Sequence, residues 1–571
     1  MKPRLPREAL KMANRHWSRS RLTRAILLIG VLGTALLGCS KDSDGERNNG
    51  QSATVKEADA GGCEQPVAIT TAKALRSYDM LRDGDAIDDN PITRWAKERL
   101  CIAQTNKWLV VDQNDALSER IRSALATGEA LPDVLYLTNH DLPGLLADLA
   151  GSGAITDVSE PFERYAPERI KKAYASNPDV WRTVTLGGKR WGLPQFSDSK
   201  LADPILWIRQ DWLDRLELAA PTTLTELEAV MEAFAIGDPD GNGKNDTVPL
   251  AIAGQHTLNG WMGDASFLFG AYGNQPYQWN RAADGSLAYG SVQPEVKQAL
   301  ARLAEWYKRG YLAPDFGTHD EQEASALFAS GAAGILSGPG WMGGWPLNYA
   351  KAEMPGSEFT PLPHPAGDDG RMGRIGTLQS YGAYFFREGF EHWEEIFAYY
   401  DEVYGTLTED PDSDFAYGFG EGYDYRIENG EPVFDFPGMT TSLGNFLLIA
   451  PGTAPTNMLQ GESIESRVLR GKVETSYEKK LATTASRLFL QGNVVQDTQP
   501  GTAQAEQFVG PYTPTMALKW TWLREMEHKT FLKIVYGDAE ADTFDDFVRQ
   551  WEANGGSVIA SEVNEWDRAE R

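Results

Sequence analysis

The chain is poor in the residues that build most metal and nucleophile sites: 571 residues hold three cysteines and seven histidines. No two histidines are spaced as metal ligands on a helix, and no cysteine has a histidine partner nearby. The chain also lacks a Gly-x-Ser-x-Gly elbow, a His-Glu-x-x-His, a Walker loop, and a Gly-x-Gly-x-x-Gly after a strand. No catalytic residue is therefore assigned, although acidic residues are too many for a count to exclude a glycosidase pair. Positive charge is scarce as well. Against 81 Asp+Glu stand 54 Lys+Arg, for a formal net charge of −27. Such a surface repels nucleic acid and anionic headgroups, so no nucleic-acid partner is expected.

Long apolar runs are nearly absent. The one candidate, Ala25 to Gly38, is too short to span a bilayer as a mature helix. It follows a basic leader (Lys2, Arg4, Arg7, Lys11, Arg15, Arg19, Arg21, Arg24) and ends in Leu36-Leu37-Gly38-Cys39. A positive segment, a short apolar segment and small residues at the cut describe a secretory signal. Cysteine directly after Gly38 resembles a bacterial lipobox, in which the thiol is diacylated and becomes the new N-terminus. The expectation is a signal peptide over 1–38, lipid on Cys39, and a body outside the cytoplasm held to the membrane by that anchor. An ordinary signal peptide with a chance cysteine, or an uncleaved anchor, is the alternative. Residues 39–62 are rich in Ser, Asp, Gly, Asn and Lys without hydrophobic period, which reads as a flexible tether of about 25 Å typical span. With Cys39 assigned to lipid, Cys63 and Cys101 remain, and outside the cytoplasm they read as a disulfide or, alternatively, as two buried free thiols.

Beyond residue 62 the pattern alternates. Helix signals over 92–100, 115–126 and 142–149 interleave with strand signals over 102–111 and 134–137, which implies parallel βαβ units and an α/β fold. Ligands of such sheets sit beyond the carboxyl ends of the strands, so Thr70-Thr71 and Thr138-Asn139-His140 are expected to line a cleft. A second block opens near Pro204-Ile205-Leu206-Trp207-Ile208, followed by a capping box, Thr223-Leu224-Thr225-Glu226, and an amphipathic helix over 295–307. The segment 516–551 is mostly helical by period.

Asp238-Pro239-Asp240-Gly241-Asn242-Gly243-Lys244-Asn245-Asp246 matches the first nine positions of a calcium-binding EF-hand loop. Oxygen side chains stand at positions 1, 3, 5 and 9, glycine at 6, and a carbonyl donor, Lys244, at 7. Position 12 is Pro249 instead of glutamate, leaving Thr247 or water to complete the shell, so a structural Ca²⁺ is expected. A solvated turn is the alternative, since these residues favour turns for their own reasons.

Tryptophan is abundant, with 17 copies, and Trp341 and Trp345 lie in Gly338-Pro339-Gly340-Trp341-Met342-Gly343-Gly344-Trp345-Pro346. Two tryptophans amid so many Gly and Pro do not belong to a packed helix face, and they read as a ligand platform. Lipobox, tether, α/β body and this segment together resemble extracellular solute-binding proteins of family 1, the receptor components of carbohydrate ABC transporters. Further resemblance lies in Ala126 to Asp133, in Trp207-Ile208-Arg209-Gln210-Asp211-Trp212-Leu213, and in Glu562-Val563-Asn564-Glu565-Trp566. The calcium loop is similar to that of alginate-binding members, which carry glutamate where this chain has Thr247.

The resemblance implies a two-lobed, type II periplasmic-binding-protein-like fold. Lobe 1 would combine 63–192 with 364–440, lobe 2 would hold 193–363, and 441–571 would pack chiefly on lobe 2. It implies a monomer that closes on an oligosaccharide and delivers it to a membrane permease, without catalysis. Ligand contacts are expected from Gln195, Trp261, Trp341, Trp345 and Tyr381, with Trp341 stacking on sugar. Gly340 stands where relatives often have an aromatic. The rival readings are a lipid-anchored glycoside hydrolase or lyase, and a peptide-binding lipoprotein.

Overall fold

The computed structural model describes residues 63, 65–76, 79–112, 115–197, 202–407, 413–452, 458–459 and 462–570. The leader, Cys39 and the tether lie outside the described residues. No helix among the described residues is long and apolar enough to cross a membrane.

The first strand, Val67–Leu75, pairs in parallel with Ile102–Val111 and with Val134–Thr138. Between the first two strands, helix Pro91–Leu100 is closed at its start by an Asn90–Thr93 capping box. It ends at Cys101, whose left-handed backbone (φ 57°) stops the helix. Because the strands run in register from Val67 and Ile102, the residues just ahead of them meet, and Cys63 and Cys101 form a disulfide with 5.4 Å between Cα atoms.

The five-stranded sheet runs in the order Ile102–Val111, Val67–Leu75, Val134–Thr138, Ser380–Phe386, Leu193–Phe196. Ser380–Phe386 is antiparallel to both its neighbours. A second sheet runs Phe359–Leu362, Pro204–Arg209, Ala333–Pro339, Val248–Ala251. Its two central strands, Pro204–Arg209 and Ala333–Pro339, are buried at every position, which explains their unbroken apolar runs.

Each sheet anchors its own core. One core draws on residues between 69 and 196 and again between 383 and 449. The other draws on residues between 206 and 335 and between 508 and 563. These cores divide the chain a few residues away from the lobe boundaries expected from the sequence. Strand Leu193–Phe196 pairs into the first sheet, where Pro194 is tolerated because the strand is an edge. Leu443 and Phe446 to Ile449, expected in the region packing on lobe 2, sit in the first core. The helices Pro514–Tyr536 and Thr543–Trp551 join the second.

A polar cluster of four residues lies inside the second lobe. Asp264 Oδ2 accepts from Ser266 N at 3.0 Å, Ser266 Oγ at 2.7 Å and Ser337 Oγ at 3.3 Å. Ser337 Oγ in turn lies 2.9 Å from His364 Nε2. Burial pushes the Asp264 carboxyl up to about 7 and holds His364 well below the usual imidazole range.

Two predictions follow from this packing. The folded Asp264 holds its proton at pH values where the unfolded chain has lost it, so its contribution to stability is full below the ordinary value of 3.8, is lost progressively as pH rises from there to about 7, and changes no further above that. Asp264→Asn should therefore gain on the native chain between pH 5 and pH 8 in paired thermal melts; a constant difference contradicts the assignment. Cys101→Ser opens a loop with a sequence separation of 38 and should cost about 4 kcal/mol in urea unfolding. A loss below about 1 kcal/mol would contradict that crosslink.

Candidate functional site

The carboxyl ends of the first sheet form a polar ledge around a cavity of about 530 Å³. Tyr136 Oη donates to Gln195 Oε1 at 2.7 Å, and Gln195 Nε2 donates to the Ala450 carbonyl at 3.1 Å. Register explains the meeting: Tyr136 and Gln195 lie on strands that flank Ser380–Phe386. Thr138 and Ser118 both donate to Asp141, at 2.7 and 2.5 Å. Lys73 Nζ donates to the Leu447 carbonyl at 2.5 Å, and loss of solvation pulls its ammonium down to about 8. Arg76 pairs with Asp79 at 3.3 Å. Tyr381, expected as a ligand contact, is not among the residues lining this cavity; its carbonyl accepts from Asn139 N at 3.2 Å.

The second sheet presents tryptophan. Ring centroids of Trp261 and Trp341 are 5.3 Å apart, and those of Trp341 and Trp345 are 6.3 Å apart with planes only 20° from parallel. Trp261 and Trp341 rest on the buried cluster of Trp207, Met342 and Leu347, while Trp345 is 48% exposed. The three residues expected from separate arguments thus stand in one row, just past the carboxyl ends of Val248–Ala251 and Ala333–Pro339. Both faces flank the same crossover. Gln195 lies just before the chain leaves the first sheet, and Pro339 pairs with Pro204, where the chain enters the second.

The glycines of the platform admit a close approach of backbone. A Cβ on Gly340 would lie 2.7 Å from the Gly492 backbone and from Gln496 Oε1, and one on Gly343 would strike the Leu488 backbone. Helix Arg487–Thr498 lies directly against this loop. Ser486 Oγ donates to Gly343 O at 2.8 Å, Gly340 N donates to Gln496 Oε1 at 3.2 Å, and Gln496 Nε2 donates to Asp203 O at 2.7 Å. The space above Gly340 belongs to a helix, so an aromatic does not fit there.

A larger cavity, about 670 Å³, opens beside these faces. Helix Pro514–Tyr536 lines it with Trp520, Thr521, Arg524, Glu525 and His528. Sequence reasoning treated that helix as packing only. The signal was its spacing, since these positions fall on one helical face and mix aromatic with polar residues.

In the 238–247 loop, Asn242 N and Gly243 N donate to Asp238 at 3.1 and 3.0 Å. Asn242 Nδ2 donates to Asp240 at 2.6 Å and to Asp246 at 2.9 Å. Two carboxylates thus accept from one side-chain amide, and a third accepts from backbone N–H groups. No group of three His, Cys, Asp or Glu residues able to hold a metal occurs among the described residues. Thr247 Oγ1 donates to Phe234 O at 2.8 Å, and Pro249 is buried in strand Val248–Ala251. Neither the twelfth position nor Thr247 adds a carboxylate. The donor chemistry that remains, three carboxylates, the Asn242 amide oxygen and the Lys244 carbonyl, is that of a hard-cation loop.

Comparison with known proteins follows the same lines. Residues 106–388 match the family model of the bacterial extracellular solute-binding protein. The polygalacturonan/rhamnogalacturonan-binding protein YtcQ of Bacillus subtilis is 30% identical over 225 residues, which are 39% of this chain and 42% of that protein. The fructooligosaccharide ABC transporter substrate-binding protein FusA of Streptococcus pneumoniae is 27% identical over 213 residues, 36% of this chain and 38% of that one. The aligned part of this chain therefore spans about two fifths of the curated relatives it matches. In three dimensions the likeness is wider. FusA in complex with kestose superimposes with a TM-score of 0.59 at 18% identity, covering 88% of this chain and 99% of that one. The alginate-binding protein AlgQ2, solved without calcium ion, also gives 0.59 at 18% identity, over 88% and 98%. The fold is the two-lobed periplasmic-binding-protein fold, and over residues 106–388 the chain is similar to the bacterial extracellular solute-binding proteins.

Proposed function

We propose that this chain is the substrate-binding lipoprotein of an ABC importer. It captures an oligosaccharide between the tryptophan row and the polar ledge and hands it to a membrane permease, held outside the cytoplasm by lipid on Cys39. The observation that carries the reading is the row Trp261–Trp341–Trp345 beside the same crossover as the Gln195 and Tyr136 ledge. Flat rings suit the apolar faces of sugars, and the ledge offers the hydrogen-bonding groups that fix hydroxyls. FusA and YtcQ, named for saccharide ligands, support the same class. Lobe closure about the crossovers would bring the two faces together.

The 238–247 loop takes a structural Ca²⁺ in this reading, held by Asp238, Asp240, Asn242, Asp246 and the Lys244 carbonyl, with water in place of a twelfth-position glutamate and the Thr247 hydroxyl facing Phe234. An EF-hand mutant of FusA among the structural neighbours points to the same kind of loop. The ion would stabilise the second lobe without touching ligand, by about 2.7 kcal/mol at 100 times its dissociation constant.

Three outcomes are expected. In a thermal-shift screen of the chain lacking residues 1–39 against oligosaccharides, at least one sugar raises the melting temperature and is recovered intact. Cleavage of that sugar would make the chain an enzyme. Trp341→Ala weakens binding of that sugar by tenfold or more in calorimetry, about 1.4 kcal/mol; unchanged affinity contradicts the platform. Chelation of calcium lowers the melting temperature and leaves sugar affinity within about twofold. Identical melts with and without calcium contradict the ion site.

A further inference from the structure

The 670 Å³ cavity belongs to neither face that the sequence pointed to, and its walls say what could fill it. Asn139, Leu142, Pro143 and Thr183 line it from the body of the first sheet, while Trp279 and helix Pro514–Tyr536 line it from the second. It therefore changes shape with any movement of one lobe against the other. Two loops link it to the faces described above. The turn after Val134–Thr138 serves both spaces, with Thr138, His140 and Asp141 on the smaller cavity and Asn139 on the larger. The loop that carries Trp261 likewise lends Gln255 and His256 to the larger one.

Its chemistry is aromatic and without free positive charge. Trp520 lies 6.4 Å from Trp279 with planes 19° apart, and Tyr512, which is 49% exposed, stands at the opening. The Trp279 indole N–H is buried and has no acceptor. The cation of the wall, Arg524, is already engaged: its guanidinium donates to Tyr277 O and Tyr289 Oη, both at 2.8 Å, and faces the buried Glu527. Glu506 and Glu525 lie on the wall with it. Glu506 also caps backbone, accepting from Trp279 N and Phe508 N at 2.9 Å. A carboxylate-bearing ligand would meet the exposed Glu525 carboxylate, a Glu506 carboxyl that burial pushes up to about 7, and one occupied guanidinium. A neutral ligand with apolar faces and many hydroxyls would meet stacking rings and hydrogen-bond acceptors. The volume falls within the range of about 300–1,000 Å³ that encloses a small ligand.

We infer that this cavity is a second saccharide subsite, filled by the far end of an uncharged oligosaccharide whose other end stacks on Trp261 and Trp341. The inference rests on the saccharide-binding reading above and deepens it: affinity is set by length, and the C-terminal helix measures that length. Acidic sugars are refused there by Glu525 and by the lack of an unengaged guanidinium on the wall, whatever the ledge tolerates.

The test is calorimetry on the processed chain with neutral gluco-, xylo- and fructo-oligosaccharides of two to six units, and with oligogalacturonates of the same lengths. The native chain should bind the longer members of one neutral series about tenfold tighter than the shortest. Tyr512→Ala removes an exposed ring, and Thr521→Arg fills the cavity from an exposed helix position. Each should abolish that gain and leave the shortest sugar bound as before, whereas Trp341→Ala weakens every length. Affinity independent of length, equal losses at all lengths in the Tyr512 and Thr521 variants, or oligogalacturonates bound as tightly as neutral sugars would each overturn the subsite while leaving a saccharide receptor. Binding of no sugar in either series would overturn the receptor reading and this inference together.

Discussion

Gly340, Gly343 and Gly492 let a loop and a helix touch backbone to backbone, and the tryptophan row stands on that contact. Without a Cβ at these positions, helix Arg487–Thr498 seats on the 340–344 loop and is tied there by Ser486 and Gln496. Gln496 reaches from Gly340 to Asp203, and Asp203 forms an ion pair with Arg374. The platform is therefore fixed to the place where the chain enters the second sheet. In the function proposed for it this row would stack on sugar, and such a surface has to be rigid before the ligand arrives, since ordering large rings on binding would offset much of the gain. Here late sequence, far from the tryptophans, supplies that rigidity.

The same division of labour runs through the molecule. Each lobe builds a core of its own around one sheet, and the chain visits both more than once, so the lobes are joined through several passages and not through one linker. Rigid bodies joined in this way favour hinge or shear motion over local refolding. Polar groups left inside the bodies are tied to one another: Glu527 accepts from Tyr289 and Ser291, and Asp264 from Ser266 and Ser337. On the ledge Arg76 is likewise paired with Asp79.

Much of this was legible in local sequence. The alternation over 92–149 gave helices and strands close to those found, because parallel βαβ units carry their period and caps in contiguous residues. The row Trp341–Trp345 was visible because tryptophan between glycines has no ordinary structural use. Other features depend on contacts distant in the chain. Pairing of Leu193–Phe196 into the first sheet, and the place of Leu443 to Ile449 in the first core, follow from strand Ser380–Phe386 almost two hundred residues beyond the first of them. The reason for Gly340 lies at Gly492. The cavity face of helix Pro514–Tyr536 is masked in sequence by apolar residues on its other sides, among them Leu523 and Phe531 in the core.

The central claim is that two preformed faces close on a saccharide. Small-angle X-ray scattering of the processed chain, with and without a sugar that raises its melting temperature, tests this directly. The account predicts a smaller radius of gyration on binding, with the maximum dimension shortened and no change in mass. A scattering profile unchanged at saturating sugar would contradict closure.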